Sequence, residues 1–258
     1  MVETEGAIKC QNACMATGST IVIIPTFNEE ENLRRLLPQI LELPVEILIV
    51  DDSSKDGTAV VAEGFQKSSS RVAILARPKK MGLGSAYRDG FTWALDRGYS
   101  TIIQMDADGS HRVSDLRKML EFHSSNPQHD LIIGSRWIPG GAVQNWSKHR
   151  EALSRIANLY SRKLLGFKVR DSTAGFRIYR SDLLKKMNLQ GVGSEGYAFQ
   201  IEMTREAHQV GAQIIEIPIV FVEREFGVSK MSGAIVREAL VKVSSWGLAR
   251  LTRQISGK

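Results

Sequence analysis

The chain has 258 residues, 43% of them hydrophobic and 24% charged, with a formal net charge of +6 at pH 7. That is enough material for one large domain or two small ones with a filled core, and it excludes disorder as the default. The positive balance points to phosphate-bearing partners or an anionic surface, but no basic run is interleaved with aromatics, so nucleic acid is not expected as a partner.

Residues 1–19 read as a loose tail, because they lack the basic start and apolar core of a secretory signal. Cys10 and Cys14 have no nearby His or second Cys pair, which argues against zinc and for a reducing compartment. No stretch approaches the ~20 uncharged apolar residues of a membrane span. A cytoplasmic chain is therefore expected.

From residue 20 onward, short apolar runs alternate with helical patterns. The strand candidates are TIVIIP (20–25), VEILIVDD (45–52), RVAILAR (71–77), STIIQMDAD (100–108) and DLIIGSR (130–136). Helical spacing fills the gaps, for example from Glu29 to Leu43 and from Gly82 to Arg97. Continuous apolar strands joined by crossover helices predict an α/β fold with a mostly parallel sheet covered on both faces. Ligands of such sheets bind outside the carboxyl ends of the strands.

Those ends read Pro25-Thr26-Phe27-Asn28-Glu29, Asp51-Asp52-Ser53-Ser54, Arg77-Pro78-Lys79 and Asp106-Ala107-Asp108. Each acidic end has an ordinary alternative. Asn28 before EEENL and Asp51-Asp52 before SSKDGT are candidate helix caps, and DADG is a common turn composition. If Asp106 and Asp108 sit at a strand tip, however, they point the same way, and a divalent cation between them relieves their repulsion. A dinucleotide site is disfavoured, since the nearest match, Gly82-Leu83-Gly84-Ser85-Ala86-Tyr87, follows the third strand and ends in tyrosine.

In this order, IPTFNEEENL, VDDSSKDGT, KKMGLGSAYRDG, MDADGSH and GSR resemble the nucleotide-sugar-binding half of a family-2 inverting glycosyltransferase of GT-A fold. NWSKHREALSRIAN, DSTAGFRIYR, EGYAFQIEM and VEREFGVSKM are similar to one branch, the polyprenyl-phosphate (dolichol-phosphate) mannose synthases. The resemblance implies mannose transfer from GDP-mannose to a polyprenyl monophosphate. Its rivals are a UDP-glucose-dependent polyprenyl-phosphate glucosyltransferase and a nucleotide-binding regulator without turnover. It further implies that Pro25, Thr26, Glu29, Asp52 and Lys79 lie along the donor, with Arg224 and Lys230 closing over its diphosphate. Asp106 and Asp108 would hold Mg²⁺ or Mn²⁺, with Ser110, a weaker donor than the amide often found there, as the third candidate ligand. Arg136, Arg150 and Ser154 would grip the acceptor phosphate, Arg136 being placed with Asp106 and Asp108 at the reaction centre. Relatives without membrane spans sometimes work with a membrane-embedded partner.

The physical reading stands beside that resemblance. Mg²⁺ favours few carboxylates plus phosphate oxygens and water, and Arg matches phosphate with two parallel hydrogen bonds. Arg150 also fits a solvated helix face. The catalytic domain is expected over 20–231, followed by a basic amphipathic helix over 232–258 with Val236, Leu240, Val243 and Trp246 or Gly247 at helical spacing. That helix either packs on its own domain or lies in a bilayer interface on the cytoplasmic face, and one helix can do both.

Overall fold

The computed structural model describes residues 19–194, 196–223 and 233–255. All of the expected tail but Ser19 lies outside the described residues, as do Arg224 and Lys230. The first five strands are β1 (Thr20–Thr26), β2 (Glu46–Asp51), β3 (Val72–Ala76), β4 (Thr101–Gln104) and β5 (Leu131–Ser135). They fall where the apolar runs predicted them. Four more follow: β6 (Ala142–Gln144), β7 (Arg177–Arg180), β8 (Ile214–Pro218) and β9 (Val220–Val222). The main sheet has the order β3-β2-β1-β4-β7-β5-β8, while β6 and β9 form a small parallel pair. Only β7 runs antiparallel to its neighbours in the main sheet, β4 and β5.

The strand sequences explain the layering. In β1, Ile21 and Ile23 enter one buried cluster and Val22 and Ile24 the other; in β2, Leu48 and Val50 oppose Ile47 and Ile49 in the same way. Strands apolar on both faces require cover on both sides. Helices α1 (Glu30–Leu41), α2 (Thr58–Ser68) and α4 (Val113–Ser125) supply residues to the second cluster. Helices α3 (Leu83–Asp96), α5 (Lys148–Leu165), α6 (Ser181–Lys186), α7 (Gly196–Gln209) and α8 (Gly233–Ile255) supply the first.

The chain winds from β1 outward to β3 and then returns to the opposite side of β1 with β4. This reversal is a topological switch point, where the loops after two neighbouring strands diverge and leave a crevice. It sets the segment after Thr26 beside the segment after Gln104. The expectation that Asp106 and Asp108 share a strand tip is corrected here: β4 ends at Gln104, and both carboxylates lie in the loop, which turns at Gly109 with φ +75°.

Helix α8 packs on its own domain, the first of the two arrangements the sequence left open. Val243 is buried, Trp246 packs on the core, the Tyr160 hydroxyl meets the Ser244 hydroxyl at 2.7 Å, and a Cβ on Gly247 would run into Leu164. Yet Leu248 is 64% exposed, and Leu240, Val241 and Leu251 are exposed with it, as are Ile156 and Leu159 of α5. Among the described residues no helix is long and apolar enough to cross a membrane.

Two glycines test this packing with opposite signs. A Cβ on Gly90 of α3 would stand 2.7 Å from Ile23 Cγ2, so Gly90→Val should cost about 1–3 kcal/mol through overpacking. Gly64 of α2 has open space around it, so Gly64→Ala should gain about 0.5–1 kcal/mol. Thermal melting should show the first variant falling by several degrees and the second rising.

Candidate active site

Two backbone positions shape the first wall of the crevice. Asn28 and Ser53 have φ of 57° and 60°, a left-handed conformation that is uncommon outside glycine. Hydrogen bonds hold both turns. The Asn28 amide donates to Ser54 Oγ at 2.9 Å, and Asn28 Oδ1 accepts from the Lys55 amide at 2.8 Å. Asp51 takes the Thr26 hydroxyl at 2.8 Å and the Ser54 hydroxyl at 2.6 Å. Neither Asn28 nor the Asp51-Asp52 pair caps a helix: α1 starts after Glu29 and α2 after Gly57, neither with a side-chain cap bond.

Asp52 is buried and accepts from the Met81 and Gly82 amides at 3.1 and 3.0 Å, with the Arg77 guanidinium on its other oxygen. It therefore shapes the loop ahead of α3. Pro25, Thr26, Glu29 and Asp52 line one cavity of about 220 Å³ together with Phe27, Asp106 and Asp108. Lys79 does not reach it. That side chain is exposed, and the neighbouring Lys80 lines the cavity instead, its ammonium 3.9 Å from the centre of the Phe27 ring.

Two uncharged side chains, Tyr87 and His111, hold Asp106. The Tyr87 hydroxyl donates to Asp106 Oδ1 at 2.7 Å, and burial, then the Asp106 charge, push the phenol well above its usual pKa. His111 accepts the Asp106 amide on Nδ1 at 3.1 Å, so the ring carries its proton on Nε2 when neutral. Burial lowers the His111 pKa, which keeps the ring neutral between Phe176 and Phe221. Gly175 leaves room at the second oxygen of Asp106, since a Cβ there would stand 3.3 Å away. Asp108 Oδ1 accepts the Ser110 amide at 3.1 Å, and the buried Ser110 hydroxyl has no hydrogen-bond partner. Among the described residues, no group of three or more acidic, His or Cys side chains has metal-binding geometry. Two carboxylates and an unpartnered hydroxyl remain, an oxygen set that fits Mg²⁺ or Mn²⁺ completed by phosphate and water.

A second cavity, of about 310 Å³, lies between α5, α7 and α8 and has almost wholly apolar walls. Ser154 and Arg150 line it, with Leu153, Ile156, Tyr160, Leu240 and Val243. Thr173 and Tyr197 line both cavities and so stand at their junction.

The two expected acceptor arginines differ sharply. Arg136 lines neither cavity. It is buried with Nε and Nη2 each 2.7 Å from Asp171, while Nη2 also donates to Thr173 Oγ1 at 2.8 Å. Its fork is thus spent on a carboxylate rather than open to a phosphate. Arg150 stacks 4.0 Å over the Trp146 ring and pairs with Glu223 through Nη1, while its buried Nε has no acceptor. The Trp146 indole N–H is also buried without an acceptor.

Sequence reasoning gave no role to Tyr87, Lys80, Trp146, Asp171, Thr173, Gly175, Tyr197, Gln200 or Glu223. All nine lie in stretches that carried the resemblance, so the motifs marked the segments without marking the atoms. Removing one partner of the buried pair should leave the other charge uncompensated. Asp171→Asn is therefore expected to cost about 3–5 kcal/mol in denaturant unfolding, against under about 1 kcal/mol for Glu151→Gln, whose partly exposed side chain pairs with Arg155 on the surface of α5.

Comparison with known proteins agrees with this geometry. The family model described as glycosyl transferase family 2 matches residues 21–187. A polyprenol monophosphomannose synthase of Mycolicibacterium smegmatis is 48% identical over 241 residues, covering 92% of this chain and 90% of the relative. Two solved structures share the fold. One is a Mycobacterium tuberculosis glucosyl-3-phosphoglycerate synthase in complex with Mn²⁺, UDP-glucose and phosphoglyceric acid, with TM-score 0.67, 17% identity, and 91% and 81% of the two chains covered. The other is a Pyrobaculum calidifontis mannosyltransferase in complex with GDP-mannose and Mn²⁺, with TM-score 0.57, 16% identity, and 93% and 66% covered. With a switch-point crevice that holds two aspartates, and with the family model spanning most of the sheet, the chain belongs to glycosyl transferase family 2.

Proposed function

We propose that this chain transfers mannose from GDP-mannose to a polyprenyl monophosphate, releasing GDP. The observation that carries the reading is the meeting of two unlike cavities at Thr173 and Tyr197. One carries charged side chains, Asp106 and Asp108 among them, and the other is almost wholly apolar with Arg150 at its edge. A sugar nucleotide suits the first, and a lipid phosphate suits the second. The 48% identical relative is named for this activity, and two structural neighbours hold Mn²⁺ with a nucleotide sugar.

In this reading Phe27, Asp52 and Lys80 flank the nucleoside, and Asp106, Asp108 and Ser110 would hold Mg²⁺ or Mn²⁺. Bound there, the ion supplies positive charge against the donor diphosphate as it departs. Tyr87 and His111 fix Asp106 in one orientation. Arg150 and the Trp146 N–H face the acceptor phosphate, with Ser154 on the next turn of α5, and Arg136 sets the position of Thr173. Arg224 and Lys230 are assigned to the diphosphate on the family resemblance alone.

No side chain is required as a general base. A phosphate monoester has a second pKa of about 6 and is largely a dianion at neutral pH, so its oxygen attacks the anomeric carbon directly. Asp106, with one oxygen on Tyr87, is kept for the ion. Direct displacement inverts the sugar carbon and gives a β-linked product from an α-linked donor.

The apolar cavity takes the first units of the polyprenyl chain, and the exposed Ile156, Leu159, Leu248 and Leu251 meet the membrane surface. The chain then works as a peripheral protein on the face where GDP-mannose is supplied, with basic residues of α8 adding attraction to anionic lipid.

The deciding assay supplies radiolabelled GDP-mannose or UDP-glucose with a polyprenyl phosphate and Mn²⁺ or Mg²⁺. Mannolipid formation that unlabelled UDP-glucose does not suppress supports the reading, and glucolipid as the main product or no metal-dependent donor consumption rejects it. In the same assay Asp108→Ala should lower turnover on the order of 10²–10³-fold with an unchanged melting temperature. Tyr87→Phe should weaken Mn²⁺ about tenfold or more, as read by electron paramagnetic resonance titration with GDP present. Sedimentation with anionic vesicles should fall in a Leu248→Glu, Leu251→Glu double variant and fall for the parent chain at high salt.

A further inference from the structure

Asp171 and Glu223 each occupy one of the arginines assigned to the acceptor, but the two pairs are not equivalent. The Arg136–Asp171 side chains are 4% and 0% exposed and joined by two hydrogen bonds, whereas those of Arg150 and Glu223 are 16% and 25% exposed and meet through one nitrogen. A buried, forked pair resists separation, because either charge left alone is strongly unfavourable. A pair reached by water, joined at one point, exchanges partners far more readily.

We infer that Glu223 is an exchangeable counter-ion of Arg150, which the acceptor phosphate replaces on binding and which returns as the product leaves. This rests on the assignment of Arg150 to the acceptor. Two features of the site support exchange over a fixed pair. The buried Nε of Arg150 has no acceptor while Glu223 holds Nη1, and the Trp146 N–H beneath the guanidinium has none either. The carboxylate therefore leaves at least two donors of the cluster unused. A phosphate, with three terminal oxygens, can satisfy both and Nη1 as well. Tyr197, at the junction of the two cavities, lines the apolar one together with Arg150. The exchange thus takes place where the acceptor oxygen must meet the sugar.

The reaction itself changes the balance of that exchange. The acceptor enters as a dianionic monoester and GDP-mannose as a dianion. Formation of the sugar–phosphate C–O bond and cleavage of the sugar–diphosphate C–O bond give a monoanionic phosphodiester and trianionic GDP. The total charge is conserved and no proton is taken up at bond formation. At Arg150 the ligand has lost one of its two charges, while Glu223 keeps its own. The carboxylate that yielded to a dianion now competes with a monoanion, and product release is assisted.

The test is a four-enzyme cycle using the full chain: parent, Glu223→Gln, Arg150→Ala and the double variant, each checked by thermal melting. Acceptor KM, the inhibition constant of polyprenyl-phosphate mannose and GDP-mannose KM are measured for each. Glu223→Gln should lower both acceptor KM and the product inhibition constant about fivefold, roughly the worth of a partly exposed ion pair, with donor KM unchanged. Glu223→Ala should do the same. In the Arg150→Ala background the Glu223 change should have no effect. Unchanged or weaker acceptor and product binding in both Glu223 variants overturns the proposal, as does the same tightening without Arg150. If Arg150→Ala leaves acceptor KM at the parent value, the assignment of Arg150 to the acceptor is itself wrong. If Arg150→Ala raises acceptor KM but the Glu223 variants do not lower it, that assignment stands and only the exchange is lost.

Discussion

The arrangement of the crevice depends on the buried ion pair between Arg136, at the end of β5, and Asp171. Arg136 cannot leave Asp171 without stranding a charge, so the 171–175 loop is fixed to the sheet. Asn158 of α5 joins the same network, accepting the Ser172 hydroxyl at 3.0 Å and donating to Thr173 Oγ1 at 3.0 Å. One loop then serves three purposes. Its Thr173 lies between the cavities, its Gly175 leaves space for Asp106, and its Phe176 stacks on His111 with ring centres 4.7 Å apart. The two cavities are thereby held to one backbone segment, as the proposed in-line transfer between two bound substrates requires.

Around this anchor, the charges are graded by burial. Arg136 and Asp171 are inaccessible and neutralise each other, Arg150 and Glu223 are partly open to solvent, and Lys80 lies at the rim over Phe27. Burial pulls down the pKa of Arg150, but its pairing with Glu223 outweighs that, so the group stays charged. The net +6 of the sequence does not by itself locate an anion site. What distinguishes Arg150 from the other surface cations is the pair of unused donors beside it.

The sheet was legible because β1 to β5 are short apolar runs bounded by polar turns, a local signal. That the site lies at the carboxyl ends of the strands was also legible, but the switch point needed the strand order β3-β2-β1-β4. The strands missed are β6 to β9; β8, a short apolar run broken by Glu216, carries a local signal, while the others do not. β6 and β9 have three residues each, and β7 is read only through its antiparallel register with β4 and β5. The site shows the same division. The Asp106/Asp108 pair was visible, but the strand-tip argument for it was not right, because both residues lie past the end of β4 and are oriented by Tyr87 and His111. Lys79 and Lys80 are adjacent in an irregular loop, where no periodicity tells which one points inward. The partner of Arg136 lies 35 residues away and that of Arg150 lies 73 away, distances over which a single sequence carries no pairing signal.

In the proposed reading, helix α5 gives the acceptor a single orientation. Ser147 caps its N-terminus by accepting the Arg150 amide at 3.3 Å, so Arg150 sits in the first turn, where the backbone N–H groups and helix dipole favour an anion. One face of the next turns, through Ser154, Ala157 and Ser161, continues into the apolar cavity at the spacing that aligns side chains on a helix. The neighbouring face, at Ile156 and Leu159, is exposed to the surroundings. A phosphate cannot move down this face, because the cavity beyond Arg150 offers almost no polar group to replace its hydration. Hydrocarbon gains by moving the same way. The gradient along one helix would therefore hold the charged end of the proposed acceptor at Tyr197 and direct its chain past Leu240 toward the exposed apolar surface of α5 and α8.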